Sequence, residues 1–295
     1  NGSLHGSGTP RGVSRGMLRR KGSESRQRSS FGFVLPLMIF VILGFDLPVA
    51  LMLGWSIRDP FPTLRHYAYL AETPVYLRVI GNTMRVSLVT TLVCILIGYP
   101  LAYWIQGLSA RARMVALSLV ILPFWISILI RTYAWIVILG NAGLVNRVLI
   151  ELGLIGAPIS FLYNEFGVTV GTVNVLLPFF VLPLYATMTR VDRRLLQAAE
   201  SMGASRRIIF WRIFFPQTRA AVAAGGVMVF ILTLGFYITP AVLGGGRVSM
   251  VANMLDTLIN QVPRWELSAA ISTVLMAAVI GLYAVSHRLS LQETK

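Results

Sequence analysis

The stretch "AAESMGASRRIIFWRIFFP", Ala198 to Pro216, carries three arginines and a glutamate in a chain that is otherwise mostly apolar. It continues from "RVDRRLLQ", in which Leu195 and Leu196 join Ala199 and Met202 at the spacing of one helical face. Gly203 then offers a backbone turn that other residues resist. A second helical pattern follows, with Ile209, Phe210, Ile213 and Phe214 on one stripe and Arg206, Arg207 and Arg212 able to face away. Pro216 is expected to end it, because a proline lacks the N–H that an inner helical turn needs. The segment therefore reads as helix, glycine bend, helix. On composition alone it reads as a basic interfacial loop that holds two flanking runs in place.

Working outward, the chain is 56% hydrophobic and 13% charged over 295 residues, with a mean hydropathy of +0.72. A soluble domain of that length needs more polar surface, so the bilayer is the expected solvent. Roughly 20 mainly apolar residues span a membrane as a helix. Six runs qualify: Phe31 to Ile57, Gly81 to Gln106, Ala112 to Leu139, Gly167 to Thr189, Ala220 to Leu243 and Leu267 to His287. They are continuously apolar without alternating every second residue, which selects helices over barrel strands. The expected fold is all-α and integral to the membrane.

Basic residues set the orientation. Seven Lys/Arg precede Phe31, two sit at Arg111 and Arg113, seven run from Arg190 to Arg219, and Arg288 and Lys295 close the chain. The alternate connections hold only Arg58, Arg65, Arg78, Arg147, Arg247 and Arg264. By the positive-inside rule both termini are expected in the cytoplasm, and the net charge of +15 records sidedness without requiring a nucleic-acid partner.

Residues 1–30 are rich in Gly, Ser and Arg and are expected to form a disordered cytoplasmic tail; residues 31–290 form the six-span domain, with 190–219 as a cytoplasmic loop, and 291–295 a short tail. The connection "RDPFPTLRHYAYLAETPVY" carries Pro60, Pro62 and Pro74 and is expected to be turns without a helix. The middle of "GNAGLVNRVLIELGLIGAPISFLYN" reads as a short surface helix closed by Gly153 and Gly156, and "MVANMLDTLINQV" as another, surface or partly re-entrant. Pro123, Pro178, Pro183 and Pro240 are expected to interrupt spans.

Catalytic and metal chemistry find little to work with. The three histidines, His5, His66 and His287, are dispersed, Cys94 is the only cysteine, and "LGGGR" lacks the Gly-Lys-Ser/Thr of a phosphate loop. Metal ligation and enzymatic activity are not expected.

Apart from Arg113 at the edge of its run, three charges fall inside apolar runs: Asp46, Arg85 and Arg131. A charge at mid-membrane costs at least ~2.5 kcal/mol, so each needs a reason. Arg85 lies near the outer end of its run and can snorkel. Asp46 and Arg131 fall at similar depth, within about one turn at ~1.5 Å per residue; they either pair, share a polar cavity, or meet backbone carbonyls and water separately. Trp125, Tyr133, Trp135, Phe236 and Tyr237 are nearby in sequence terms. Such aromatics are interface anchors or packing, or they line a path whose solute is an ammonium ion.

The opening stretch resembles the EAA signature of permease subunits of ATP-binding-cassette (ABC) importers: Glu-Ala-Ala, three residues, Gly, nine residues, Ile, one residue, Leu-Pro. Here it runs Gln197-Ala198-Ala199, Gly203, Ile213, Phe215-Pro216, with Gln197 in place of Glu and Phe215 in place of Leu. "LPFWISILIRTYAWIVILGNAGLVN", "GFYITPAVLGGG", "MVANML", Gln261 and "RWELSAAIS" extend the resemblance over nearly all of 31–290, toward the spermidine/putrescine-type branch and the first of its two paired permeases. The resemblance implies a type I importer permease in a bacterial inner membrane. It implies a homologous second permease, an ABC ATPase dimer holding ATP and Mg, an extracytoplasmic solute-binding protein, and no cofactor on this chain itself. Gln197, Ala198, Ala199, Glu200, Gly203, Ala204, Ile213 and Pro216 would then form the coupling helix that fits a groove on the ATPase. Asp46, Trp125, Arg131, Tyr133, Trp135 and Tyr237 would be candidates for the solute path. The solute would be a polyamine, or an amino acid, opine or phosphonate, since relatives that import these share the segments. A secondary transporter or channel remains the alternative class; it predicts an inverted repeat, and the two halves share no duplicated motif.

Overall fold

The computed structural model describes residue 2, residues 35–58 and residues 62–292, with side chains up to residue 284. The tail expected over residues 1–30 therefore lies outside the described residues, Gly2 apart, as do residues 293–295. Among the described residues six helices are long and apolar enough to cross a membrane. The chain divides into two units, residues 1–55 and residues 56–295.

The first unit contains α1, Leu35–Trp55, whose described side chains are all exposed or, at Met52 and Leu53, half-exposed. In the second unit, α2 (Arg65–Glu72) leads into the long α3 (Pro74–Gly107). Then follow α4 (Ala110–Ile121), α5 (Ile128–Leu139), α6 (Leu144–Glu151) and α7 (Glu165–Met188). The opening stretch supplies α8 (Arg193–Ser201) and the start of α9 (Arg206–Leu234). Short helices α10 (Ile238–Leu243) and α11 (Val251–Asp256) precede α12, Trp265–Gln292, which continues through residues 291 and 292.

The core sits where α3, α7 and α9 pack on one another. Phe180 of α7 is fully buried there, wedged between two glycines: a Cβ on Gly98 of α3 would lie 2.5 Å from its ring, and one on Gly225 of α9 would lie 2.9 Å from it. Missing side chains let the helices approach closely, the usual means of helix packing in lipid. Several buried hydroxyls are satisfied within their own helices: Thr91, Thr172 and Thr233 each donate to the carbonyl four residues earlier. Thr83 does so to Val79 and also accepts the Val251 N–H at 2.9 Å, tying α11 to α3.

Several expectations need correcting. The connection before α3 does contain a helix, α2, because its prolines flank that segment and Pro74 occupies the first turn of α3, where no N–H is required. Pro123 does interrupt the third run, as expected: after α4 the chain makes a 3-10 turn at Leu122–Trp125, becomes extended at Ile126, and restarts as α5. The fifth run likewise breaks at Gly235–Tyr237 before α10. Pro178 and Pro183, and Pro100 besides, sit inside unbroken helices.

Pro216 does not stop the second helix of the opening stretch. The helix from Arg206 runs through it into the fifth span by way of a π-turn at Phe210–Phe214, closed by the Phe215 N–H on the Phe210 carbonyl. A proline ring clashes with the carbonyl four residues before it; widening the preceding turn by one residue moves that carbonyl aside. The device recurs at Ile42–Asp46 before Pro48, with Leu47 N–H on Ile42 O; a third π-turn, Thr257–Gln261, with Val262 N–H on Thr257 O, ends its helix before Pro263.

Candidate coupling site and solute path

The coupling element is built from its caps inward. Asp192 opens α8 by accepting the Arg194 N–H at 2.9 Å, which satisfies a donor that the helix itself cannot. The far end closes with two bonds, Gly203 N–H to Glu200 O at 2.9 Å and Ala204 N–H to Ala199 O at 3.0 Å. That is the Schellman arrangement, and it puts Gly203 at φ +80°, a left-handed conformation. Between the caps, Ala199 is buried and Leu196 is packed on the core, whereas Leu195 and Met202 are exposed, Met202 by 81%. The four apolar residues thus share an arc covered on the side of Ala199 and Leu196 and open on the side of Leu195 and Met202.

The second half is clamped by aromatic rings. Tyr103 of α3 meets Phe210 and Phe214 edge-on at centroid distances of 5.3 and 5.2 Å, and Tyr99 meets Phe215 at 5.7 Å. Tyr99 Oη also lies 3.1 Å from Thr218 Oγ1. Ile209 and Phe214 are buried and Ile213 is half-buried, while Ile208 and Trp211 remain exposed. Gln197 and Glu200 are exposed on α8 and line a cleft of about 330 Å³ shared with Gln106, Arg113 and Arg193. Ala198 and Pro216 are exposed and Ala204 half-exposed.

Candidate solute-path residues do not converge on one cavity. Trp125 is 83% exposed in the 3-10 turn, and Tyr133 is 60% exposed on α5. Arg131, in the first turn of α5, keeps its Nε buried without a hydrogen-bond partner. Trp135 is half-buried and lines a groove of about 560 Å³ between α3 and α7. Tyr237 lines a separate cleft of about 420 Å³. Asp46 belongs to the first unit, in the π-turn of α1.

The groove beside Trp135 holds a pair that sequence reasoning missed: Arg85 Nη2 lies 3.3 Å from Glu165 Oε2. Arg85 is therefore partnered as well as able to reach the surface. The local signal for Glu165 was Asn164, which caps α7 by accepting the Gly167 N–H, and which marks the next residue as a helix start. Nothing local in the sequence joins positions 80 residues apart. Asp192, Asn253 and Asp256 were also missed.

No family model matches the sequence. The chain is 35% identical over 272 residues to the spermidine/putrescine transport system permease protein PotB of Haemophilus influenzae, covering 89% of this chain and 94% of that one. The chain belongs to the PotB family of spermidine/putrescine transport system permeases. PotB of Escherichia coli K12 is 31% identical, with 87% and 97% coverage. The inner membrane ABC transporter permease protein YdcU of the same organism is 28% identical over 268 residues.

Among solved structures, the fold matches a bacterial ABC transporter that imports the acidic polysaccharide alginate. The TM-score is 0.71 at 19% identity, covering 92% of this chain and 99% of that one. It also matches the alginate transporter in complex with its pentasaccharide-bound periplasmic protein, at TM-score 0.76 and 20% identity, covering 94% and 99%. This PotB-family chain is thus a multi-pass membrane protein with the ABC importer permease fold, a transporter subunit and not an enzyme.

Proposed function

We propose that this chain is the permease through which a polyamine crosses the bacterial inner membrane, driven by ATP hydrolysis on a separate subunit. The solute class rests on the relatives at 31–35% identity that carry the spermidine/putrescine name. The chain pairs with a homologous second permease, two copies of an ABC ATPase and an extracytoplasmic solute-binding protein, within membrane lipid. ATP and Mg bind on the ATPase. Both termini and residues 190–219 face the cytoplasm in this reading, which the distribution of basic residues supports.

The observation that carries the mechanism is the way the opening stretch is held. α8 is pinned by Leu196 and Ala199, leaves Leu195 and Met202 outside, and is joined through Gly203 to a helix that runs without a break into the membrane. Gln197, Ala198, Ala199, Glu200, Gly203 and Ala204 form the docking half; Ile213 and Pro216 form the lever. Displacing α8 moves α9 directly and pulls on α3 through Tyr99 and Tyr103. Movement of α3 and α9 reshapes the core around Phe180 and so can open or close a path between spans. Trp125, Arg131, Tyr133, Trp135, Tyr237 and Asp46 stay assigned to that path, on their chemistry.

Co-expression with the second permease, the ATPase and the binding protein, followed by ATPase assay in lipid, tests this reading. Putrescine or spermidine should stimulate hydrolysis; stimulation by an amino acid and by neither polyamine would overturn the solute assignment.

A further inference from the structure

The cleft of about 420 Å³ lies between the start of α3, the chain break after α9, and the segment around α11. Tyr76, Tyr237, Ser249, Asn253, Asp256 and Gln261 contribute its polar lining, and no Lys or Arg is among the described residues that line it. Asp256 Oδ2 accepts from Tyr237 Oη at 3.1 Å, and Oδ1 accepts from Asn260 Nδ2 at 2.7 Å. One donor on each oxygen leaves further lone pairs open, since a carboxylate has about four acceptor sites. Among the described residues Asp256 has no Lys or Arg nitrogen within 4.0 Å.

Asn253 adds a second open acceptor. Its Nδ2 donates to the Tyr237 carbonyl at 3.1 Å, which fixes the orientation of the amide, and its Oδ1 is buried without a hydrogen-bond partner. The cleft therefore gathers an uncompensated carboxylate and an unused amide oxygen beside two tyrosine rings. An anion would be repelled, and a neutral solute would leave the charge unmatched. A primary ammonium brings three donors and a positive charge, and aromatic faces attract it.

We propose that this cleft is an ammonium-binding subsite, with Asp256 supplying the charge, Asn253 Oδ1 a second acceptor, and Tyr237 holding the carboxylate in place. The proposal rests on the polyamine reading and places one cationic end of the solute at a defined carboxylate.

The test uses the assembled wild-type importer in proteoliposomes. Carbodiimide labelling of Asp256, read by mass spectrometry, should be slowed several-fold by putrescine and unaffected by 1,4-butanediol, its uncharged analogue. Equal labelling under both conditions overturns the subsite. Asp256→Asn should raise the putrescine concentration for half-maximal transport about tenfold, and Asp256→Glu should recover most of the loss. An unaltered concentration dependence in Asp256→Asn also overturns it. If Asp256→Asn fails to assemble, the wild-type labelling decides alone. Absence of putrescine-stimulated ATPase activity in the wild type overturns the polyamine reading and the subsite together, whereas stimulation with unprotected Asp256 overturns only the subsite.

Discussion

Gly203 is the residue on which the geometry of the coupling loop turns. Its φ of +80° is one that an L side chain rarely adopts, yet no atom lies within 4 Å of where a Cβ would stand. The cost of substitution is therefore backbone strain alone. Gly203→Ala should destabilise the closed end of α8 by about 1–2 kcal/mol. Gly203→Asn should cost less, because Asn tolerates the left-handed region. The readout is the number of polyamines moved per ATP hydrolysed in the reconstituted importer, which should fall for Ala and recover with Asn. Equal effects of the two would point to a requirement for small size, which the open space around Gly203 does not support. This position was legible in the sequence, because a glycine after a helical apolar pattern is a signal of local chemistry. Asp256 was not, since what distinguishes it is the lack of a nearby base, and that depends on the whole fold.

At the scale of elements, the sequence located the six apolar runs and the helix–bend–helix, and was right that Pro123 interrupts its run but wrong about Pro178, Pro183 and Pro216. Pro178 and Pro183 lie in an unbroken α7 packed on both α3 and α9; each lacks the N–H that would bond the carbonyl four residues earlier, and in lipid the packing of neighbouring helices compensates for that loss. Pro48, Pro216 and Pro263 are each preceded by a π-turn ending two residues earlier. A rule based on the missing N–H alone reads each as a stop, which holds at Pro263, whereas at Pro48 and Pro216 the helix runs on. The aromatic side chains around the second π-turn make it a joint of fixed shape, and Tyr103→Ala should loosen that joint. Two edge-on contacts at ~0.5–1.5 kcal/mol apiece put the loss at about 1–3 kcal/mol. Thermal unfolding of the purified assembly should begin at lower temperature, and ATPase activity should become less dependent on solute. Tyr103→Phe keeps both ring contacts and should behave as the wild type.

For the whole molecule, the charge pattern makes a claim about sidedness that the fold alone does not. Residues 190–219 carry seven arginines, whereas the connection from Ser56 to Pro74 carries Arg58 and Arg65 beside Asp59 and Glu72. The first should face the cytoplasm and the second the outside. Cys94, the only cysteine, is fully buried in the core, so single cysteines can be introduced into the native background and probed with a membrane-impermeant maleimide. Met202→Cys replaces a side chain 81% exposed, and Leu64→Cys one that is 71% exposed. The cysteine at 202 should react in inside-out vesicles only, and the cysteine at 64 only from the outer face of intact spheroplasts; the opposite pattern overturns the assigned orientation. Sidedness and coupling can then be joined in one measurement. Position 202 stands on the uncovered edge of α8, so in vesicles stripped of the ATPase its labelling should be fast, and adding the ATPase back should slow it several-fold. Fast labelling that persists after the ATPase has rebound would place the docking surface elsewhere on the cytoplasmic face.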